Sequence, residues 1–544
     1  MKRITAFLFA ILTLLLAACN SAPANVPSVP PSDLAVPEGT VPPTGIATPP
    51  EDPTVFDRGD GHARVSDVKL ISPETGEPYE GCCCSVTDDN IITLGYPLLA
   101  SDAALSSAKL MIESDGEPVQ RVYDLRSPCY ITLLDSEGGR STYLIRAERI
   151  KHSIPIMQIY TDGAAPIVSK NEYVHSTLII DGVEYQMKIK GRGNASWNTF
   201  PKKSYRIKLD EGAPLFGLAK NRDFTLTSNY ADKSLIRNSV AHTIASTFDG
   251  LDFTSVHIPV DLYLNGEYLG VYTFSDKIEE GEGRLDFTDI EDDEPNTFWK
   301  WRDIGFLCEV GWDFDGENVY NRDYFDSEKV LRIYVKEPES EVANTPEFSY
   351  VKNYVLATEK AIVENDGWEG LIDLDSFVDW FIVTEFTFNT ESAFYRSCYF
   401  WKRAGGKLML GPVWDFDMAF GNHWGDIRGY EGWCTTESTY QYITENWMNF
   451  LITYDTFNDA VKERWNEKKE DLLDTALSAI DTYSKMLEGS EEQNFLRWDI
   501  MDKQVGDAFV SPYLYRTYES QIEYLRNFVL TRWEYMDKRI NEEF

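Results

Sequence analysis

Two segments, 185–192 and 202–209, alternate apolar and cationic residues so regularly that β-strands are the conformation that satisfies them. Tyr185, Met187 and Ile189 would face a core while Lys188, Lys190 and Arg192 line the opposite face. Tyr205, Ile207 and Leu209 repeat the pattern with Arg206 and Lys208. The loop Gly193-Asn194-Ala195-Ser196-Trp197-Asn198-Thr199-Phe200-Pro201 joins the two strands, so up to five cations would share one sheet face. Like charges that close are unfavourable unless an anion joins them or nearby carboxylates balance them. The chain's net charge of −38 argues against nucleic acid or an anionic membrane surface as a general partner. In so acidic a protein a basic cluster points to a phosphate-rich ligand, the alternative being a solvated face balanced by Asp and Glu.

Asp415 and Asp417, in Gly411-Pro412-Val413-Trp414-Asp415-Phe416-Asp417, supply the opposite charge. Val413 to Phe416 reads as a buried strand end, which would aim both carboxylates to one face. Side by side they repel unless a proton or cation lies between them, and hard oxygens of this kind suit Mg²⁺ carrying a phosphate. Service as turn or helix caps is the plainer alternative. Between these regions, Asp232 is placed to cap a helix whose Ile236, Val240, Ile244 and Phe248 form an apolar stripe. Arg237 and Asn238 lie off that stripe near its N-terminal end, where anions are favoured. A hairpin follows, 260–264 and 267–272 about the turn Asn265-Gly266, delivering Asp276 and Lys277 to its end.

The first nineteen residues read as an export signal: Met1-Lys2-Arg3, an apolar stretch from Ala6 to Ala18, then Leu16-Ala17-Ala18-Cys19. That ending resembles a bacterial lipoprotein box, which implies cleavage before Cys19, lipidation there and a tether outside the cytoplasmic membrane. Residues 20–65, punctuated by Pro23, Pro30-Pro31, Pro42-Pro43 and Pro49-Pro50, bury too little to fold and read as a disordered linker. Residues 66–150 predict a small β-sandwich with strands near 68–71, 91–94, 109–112, 129–134 and 143–148. It serves as a spacer or adhesion module. Seven cysteines follow Cys19; a bond from Cys129 to one of Cys82, Cys83 and Cys84, or between Cys398 and Cys434, is left open by the sequence. Six His without Cys-x-x-Cys or His-x-x-x-His spacing argue against zinc.

The blocks Lys190-Gly191-Arg192-Gly193-Asn194-Ala195-Ser196-Trp197, Pro201 to Lys208, Leu235-Ile236-Arg237-Asn238, Tyr263 to Tyr272 and Trp414-Asp415-Phe416-Asp417 resemble, in order, those of the CotH family. That family comprises the spore-coat protein H kinases and secreted or lipoprotein relatives. The resemblance spans roughly residues 154–430 and implies an α+β chain. The sandwich is followed by an atypical protein-kinase-like domain (151–430) with a helical C-terminal part (431–544) that packs as a cap. It further implies ATP and Mg²⁺ as cofactors and phosphorylation of Ser residues in a Ser-rich extracytoplasmic protein, with no nucleic-acid partner and membrane attachment through the lipid alone.

Matched by position, Arg192, Lys203 and Arg237 become phosphate-holding candidates, and Lys190, Lys202, Arg206 and Asn238 join that set. Asp276 stands where relatives usually have Glu and would pair with a phosphate-binding Lys. Asp415 matches the metal-binding Asp, with Asp417 assisting. Relatives carry a base Asp some two dozen residues earlier; here the nearest residue is Glu391, whose extra methylene displaces the carboxylate by about 1 Å or more. The family's downstream Asn is replaced by Ser397 or Cys398. These departures leave open a pseudokinase, or a surface-binding module that keeps the fold without the chemistry. A second run, Trp312-Asp313-Phe314-Asp315, reads as a surface loop or, less well, a Ca²⁺ loop.

Overall fold

The computed structural model describes residues 56–150, 154–287, 303–311, 324–330, 332–338, 345–423, 430–437, 445–505 and 515–544. The export signal with Cys19, most of the linker and the run Trp312–Asp315 lie outside the described residues. Two compact units divide the chain, one running to His152 and taking in Gly266–Tyr268 as well, the other formed by the rest of the chain from Ser153 on.

The first unit contains β1 (Val65–Ile71), β2 (Cys83–Val86), β3 (Ile91–Tyr96), α1 (Asp102–Ser106), β4 (Lys109–Ser114), β5 (Glu117–Pro118), β6 (Cys129–Leu134) and β7 (Arg140–Arg149). A β1–β4 pair and a five-stranded sheet ordered β2-β3-β7-β6-β5 enclose Val68, Leu70, Ile92, Leu94, Ile131, Leu133 and Ile145. Each of the five expected strands forms. β2, β5 and α1 are additional to them, the last capped by Ser101 accepting from the Ala104 amide. Cys84 and Cys129 stand three strands apart, about 14 Å at ordinary strand spacing, too far for a disulfide. All seven described cysteines are free thiols, so the Cys398–Cys434 pairing is not made either.

The second unit begins with a closed barrel of seven strands, β8 (Ile156–Thr161), β9 (Val174–Ile180), β10 (Val183–Arg192), β11 (Ser204–Ala213), β12 (Asn221–Thr227), β13 (His257–Leu264) and β14 (Glu267–Asp276). Their order is β10-β11-β12-β14-β13-β8-β9. Met187, Ile189, Ile207, Leu209, Phe224 and Phe274 fill it, as the alternation in β10 and β11 requires. Gly191 belongs to the inward set because a Cβ there would run into the Trp197 ring at about 2.4 Å. Asn265 and Gly266 both adopt positive φ, 52° and 80°, the conformation a two-residue hairpin turn demands.

A second sheet, ordered β16-β17-β15-β18-β19, uses β15 (Phe306–Gly311), β16 (Tyr324–Asp326), β17 (Arg332–Glu337), β18 (Cys398–Lys402) and β19 (Leu408–Leu410). It shares one large core with α2 (Arg237–Ala245), α3 (Pro346–Glu364), α4 (Leu374–Thr387), α5 (Trp447–Leu451), α6 (Asp455–Met486) and α8 (Tyr518–Glu543), while α7 (Ser490–Arg497) lies between the last two in sequence. The expected stripe of Ile236, Val240, Ile244 and Phe248 is buried, but all nine residues of α2 are buried too, so this helix has no solvent face. Helices α6 and α8 pack together, and α4 packs against both. No helix among the described residues is long and apolar enough to cross a membrane.

Candidate active site

Residues 411–416 do not continue a strand: β19 ends at Leu410, and Asp415 takes a left-handed φ of 65°. The strand expected for Val413–Phe416 is therefore absent, and a turn brings the carboxylates together instead. Its backbone is held on both sides of Asp415. Asn389 Nδ2 donates to the Trp414 and Asp415 carbonyls at 3.4 and 3.1 Å, and Ser392 Oγ donates to the Trp414 carbonyl at 2.7 Å. The Phe416 amide donates to Asn238 Oδ1 at 2.8 Å. Asn238 thus lines the site but works by clamping the turn rather than by meeting an anion.

The turn places Asp415 and Asp417 beside Glu391, each with an oxygen within 4.8 Å of the others'. Burial, chiefly, and the neighbouring Asp415 push the Glu391 carboxyl up to about 8, with Arg396 opposing. Burial also raises Asp415, against the pull of Arg192 and a hydrogen bond from Ser397. Asp417 is raised well above the carboxylate range by burial and by its two acidic neighbours. Three such groups cannot all ionise together unless a cation joins them. Octahedral Mg²⁺ holds oxygens at about 2.1 Å, so its ligand oxygens stand about 3–4 Å apart. Three carboxylates supply hard oxygens of the kind such an ion takes, and the donor set fits it.

These acids open on a cavity of ≈ 660 Å³ whose other charged lining residues, Glu309 apart, are basic. β10 and β11 pair with Lys190 opposite Arg206 and Lys188 opposite Lys208, confirming the shared cationic face. Lys190, Arg192 and Arg206 line the cavity; Lys188 and Lys208 do not. Asp223 on β12 pairs with Arg206 at 2.5 Å and Lys208 at 3.2 Å, so part of the face is balanced by a carboxylate. Lys190 Nζ sits 4.7 Å from the Tyr173 ring, and the Arg192 guanidinium 5.1 Å from Trp414. Burial, then repulsion from Arg206 and Lys277, lowers the Lys190 pKa.

Four expected phosphate-site residues are placed elsewhere. Lys202 is fully buried, donating to the Val271 carbonyl at 2.6 Å and Asn494 Oδ1 at 2.8 Å, and desolvation lowers its pKa well below normal. It ties the barrel to α7. Lys203 donates to the Trp197 carbonyl, bracing the 193–200 loop from within the barrel side. Arg237 is wholly buried and pairs at 2.5 Å with Asp232, whose other oxygen accepts the Arg237 amide. Asp232 thus serves the start of α2 from outside the cap position, which Ile236 occupies. Asp276 is held by Arg284 at 2.9 Å rather than by a phosphate-binding Lys. Lys202, Arg237 and Asp276 are drawn inward by buried partners, whereas Lys203 stays half-buried against the loop it braces.

Residues outside the expected set complete the cavity. Lys336 on β17 pairs with Glu309 on β15 at 3.0 Å, and both line it. Lys277 pairs with Glu279, and Lys170, Arg396 and His257 add to the walls. The alternation Arg332-Ile333-Tyr334-Val335-Lys336, with Ile333 and Val335 buried, carried the signal for Lys336. His257 stacks on buried His242, ring centres 3.8 Å apart, with Trp414 edge-on to both.

The family model described as CotH kinase protein matches residues 189–536, well over half of the chain and all of the carboxylate turn. No curated protein matches the chain.

Proposed function

The chain belongs to the CotH kinase family, and on that premise we propose that it is an ATP-dependent protein kinase with an atypical kinase-like fold. The reading extends to transfer of the γ-phosphate to Ser residues of an extracytoplasmic protein, from a position lipid-anchored through Cys19 at the bacterial surface. The observation that carries it is the meeting of Glu391, Asp415 and Asp417 with Lys190, Arg192, Arg206 and Lys336 in one cavity of a strongly acidic chain. Asp415 and Asp417, with Glu391, would hold Mg²⁺, which when bound supplies neutralisation of the charge on the transferred phosphoryl group. Arg192, Lys190 and Arg206 present fixed positive charge to phosphate oxygens without reorganising at the moment of transfer. Glu391, once ionised, would accept the proton of the serine hydroxyl.

A second reading, nucleotide binding without transfer, is favoured by one feature: Glu391 lies among the metal-holding oxygens, where burial and Asp415 push its carboxyl up to about 8. One experiment separates the two. The purified protein should gain thermal stability from ATP only with Mg²⁺ present, and should move label from γ-labelled ATP to a serine-rich acceptor. Stabilisation without label transfer supports the second reading. Absence of any Mg²⁺-dependent response to ATP rejects both. In cells, Cys19→Ser should release the protein from the membrane fraction; retention there would reject the anchor.

A further inference from the structure

Asp415 is gripped in two separate ways. Asn389, Ser392 and Asn238 fix its backbone through the Trp414 and Asp415 carbonyls and the Phe416 amide. None of those bonds reaches its carboxylate. Among the described residues one hydrogen bond does: Ser397 Oγ donates to Asp415 Oδ2 at 3.2 Å. Ser397 lines the same cavity and, like Asp415, is left-handed, with φ 50° against 65°. The neighbouring Cys398 is buried in the main core and takes no part in the cavity lining.

From this we infer that Ser397 is a positioning residue. Its hydroxyl occupies one oxygen of Asp415 and thereby turns the other toward the point shared with Glu391 and Asp417. The inference rests on the metal-dependent reading above and deepens it. A carboxylate that must ionise beside two others gains from a donor on its far oxygen, because a hydrogen bond to the charged form favours that form. Partners of this kind behind a metal ligand change metal affinity by about 10–100-fold when removed. The backbone clamp does not involve Ser397, so its loss should change the site's affinity while leaving the turn in place.

The left-handed backbone makes the test selective. Asn tolerates positive φ far better than branched residues and carries an N–H donor of similar reach. Mn²⁺ binding, read by loss of the free-ion electron paramagnetic resonance signal, should weaken about 10–100-fold in Ser397→Ala. It should return to within a few-fold of wild type in Ser397→Asn. Matching melting temperatures in chelator would show that the variants are folded; should Ser397→Ala melt early, the Ser397→Asn against Ser397→Gly comparison decides, since both accept the backbone and one has the donor. Unchanged Mn²⁺ affinity in Ser397→Ala, or equal affinity in the Asn and Gly variants, overturns the positioning role alone. Failure of the wild-type protein to bind Mn²⁺ at all, with Asp415→Asn indistinguishable from it, overturns the metal reading together with this one.

Discussion

At the scale of single residues, chemistry in this protein is decided by which charges are left facing the cavity. Lys202, Arg237 and Asp276 look like site residues in the sequence because charged side chains are seldom buried. Each is nonetheless withdrawn into the protein by a dedicated partner: Asn494, Asp232 and Arg284. Glu391, Asp415 and Asp417 have only one another and a few donors, and their raised pKa values follow. Metal ligands must be deprotonated, so Mn²⁺ affinity should climb as pH rises through about 8, the value to which burial and Asp415 push the Glu391 carboxyl. Titrations between pH 6 and 9 check this, and Glu391→Gln should flatten the upper part of the profile. A wild-type affinity independent of pH would show that these carboxyls are already ionised and that the three do not act as a set.

Among elements, legibility followed locality. β10 and β11 could be read from their two-residue period, and the hairpin from Asn265-Gly266, because both are set by neighbours in the chain. Closure of seven strands into a barrel could not, since β8 pairs in parallel with β13 across about a hundred residues. The local pattern at 413–416 predicts a strand because nothing local announces a left-handed Asp; the clamp that holds the turn comes from Asn238, Asn389 and Ser392, far away in sequence. The all-round burial of α2 hides another consequence. His242 on that helix and His257 at the start of β13 are both buried and stacked. Burial lowers His242 to about 3 and His257 well below its usual value, with His242 and Arg192 adding to the latter effect.

For such groups the unfolded chain takes up protons first. Stability is therefore complete above about pH 6.5 and is lost as pH falls toward the folded values, by up to ~1.4 kcal/mol per pH unit for each His. Raised carboxyls such as Asp379, at about 6, act with the opposite sign but are common to wild type and variant. Denaturation from pH 7.5 to 5 should accordingly show a shallower decline for His242→Phe than for wild type. Parallel profiles would mean that the pair is not buried neutral.

At the level of the whole molecule, the helical C-terminal part is built into the unit that carries the carboxylate turn rather than appended to it. Arg532 on α8 and Glu385 on α4 are both fully buried and 2.9 Å apart. Arg532 also donates to the Glu385, Tyr430 and Gly432 carbonyls, and Glu385 accepts from the Cys434 and Thr435 amides. Leaving one such charge without its partner costs about 3–5 kcal/mol, so Arg532→Met should lower the unfolding free energy by that amount in urea. A loss under about 1 kcal/mol would place the clasp outside the cooperative unit. Helix α4 runs directly into Asn389 and Glu391, so the same clasp supports the residues that hold the Asp415 turn. The family match, continuing to residue 536, includes Arg532 and most of α8. Ile522, Leu525, Phe528 and Val529 make an apolar stripe legible in the sequence, whereas the burial of Arg532 depends on α4 lying beside it.

The central claim is that the cavity binds a magnesium–nucleotide between the carboxylate trio and the cations of β10 and β11. Calorimetric titration of ATP into the purified protein, with and without Mg²⁺, addresses it most directly. Binding should require Mg²⁺, fall at least about tenfold in Asp415→Asn and in Arg192→Ala, and persist in Lys203→Ala, whose side chain bonds the Trp197 carbonyl and does not line the cavity. Affinity untouched by Asp415→Asn and Arg192→Ala but abolished by Lys203→Ala would contradict the account.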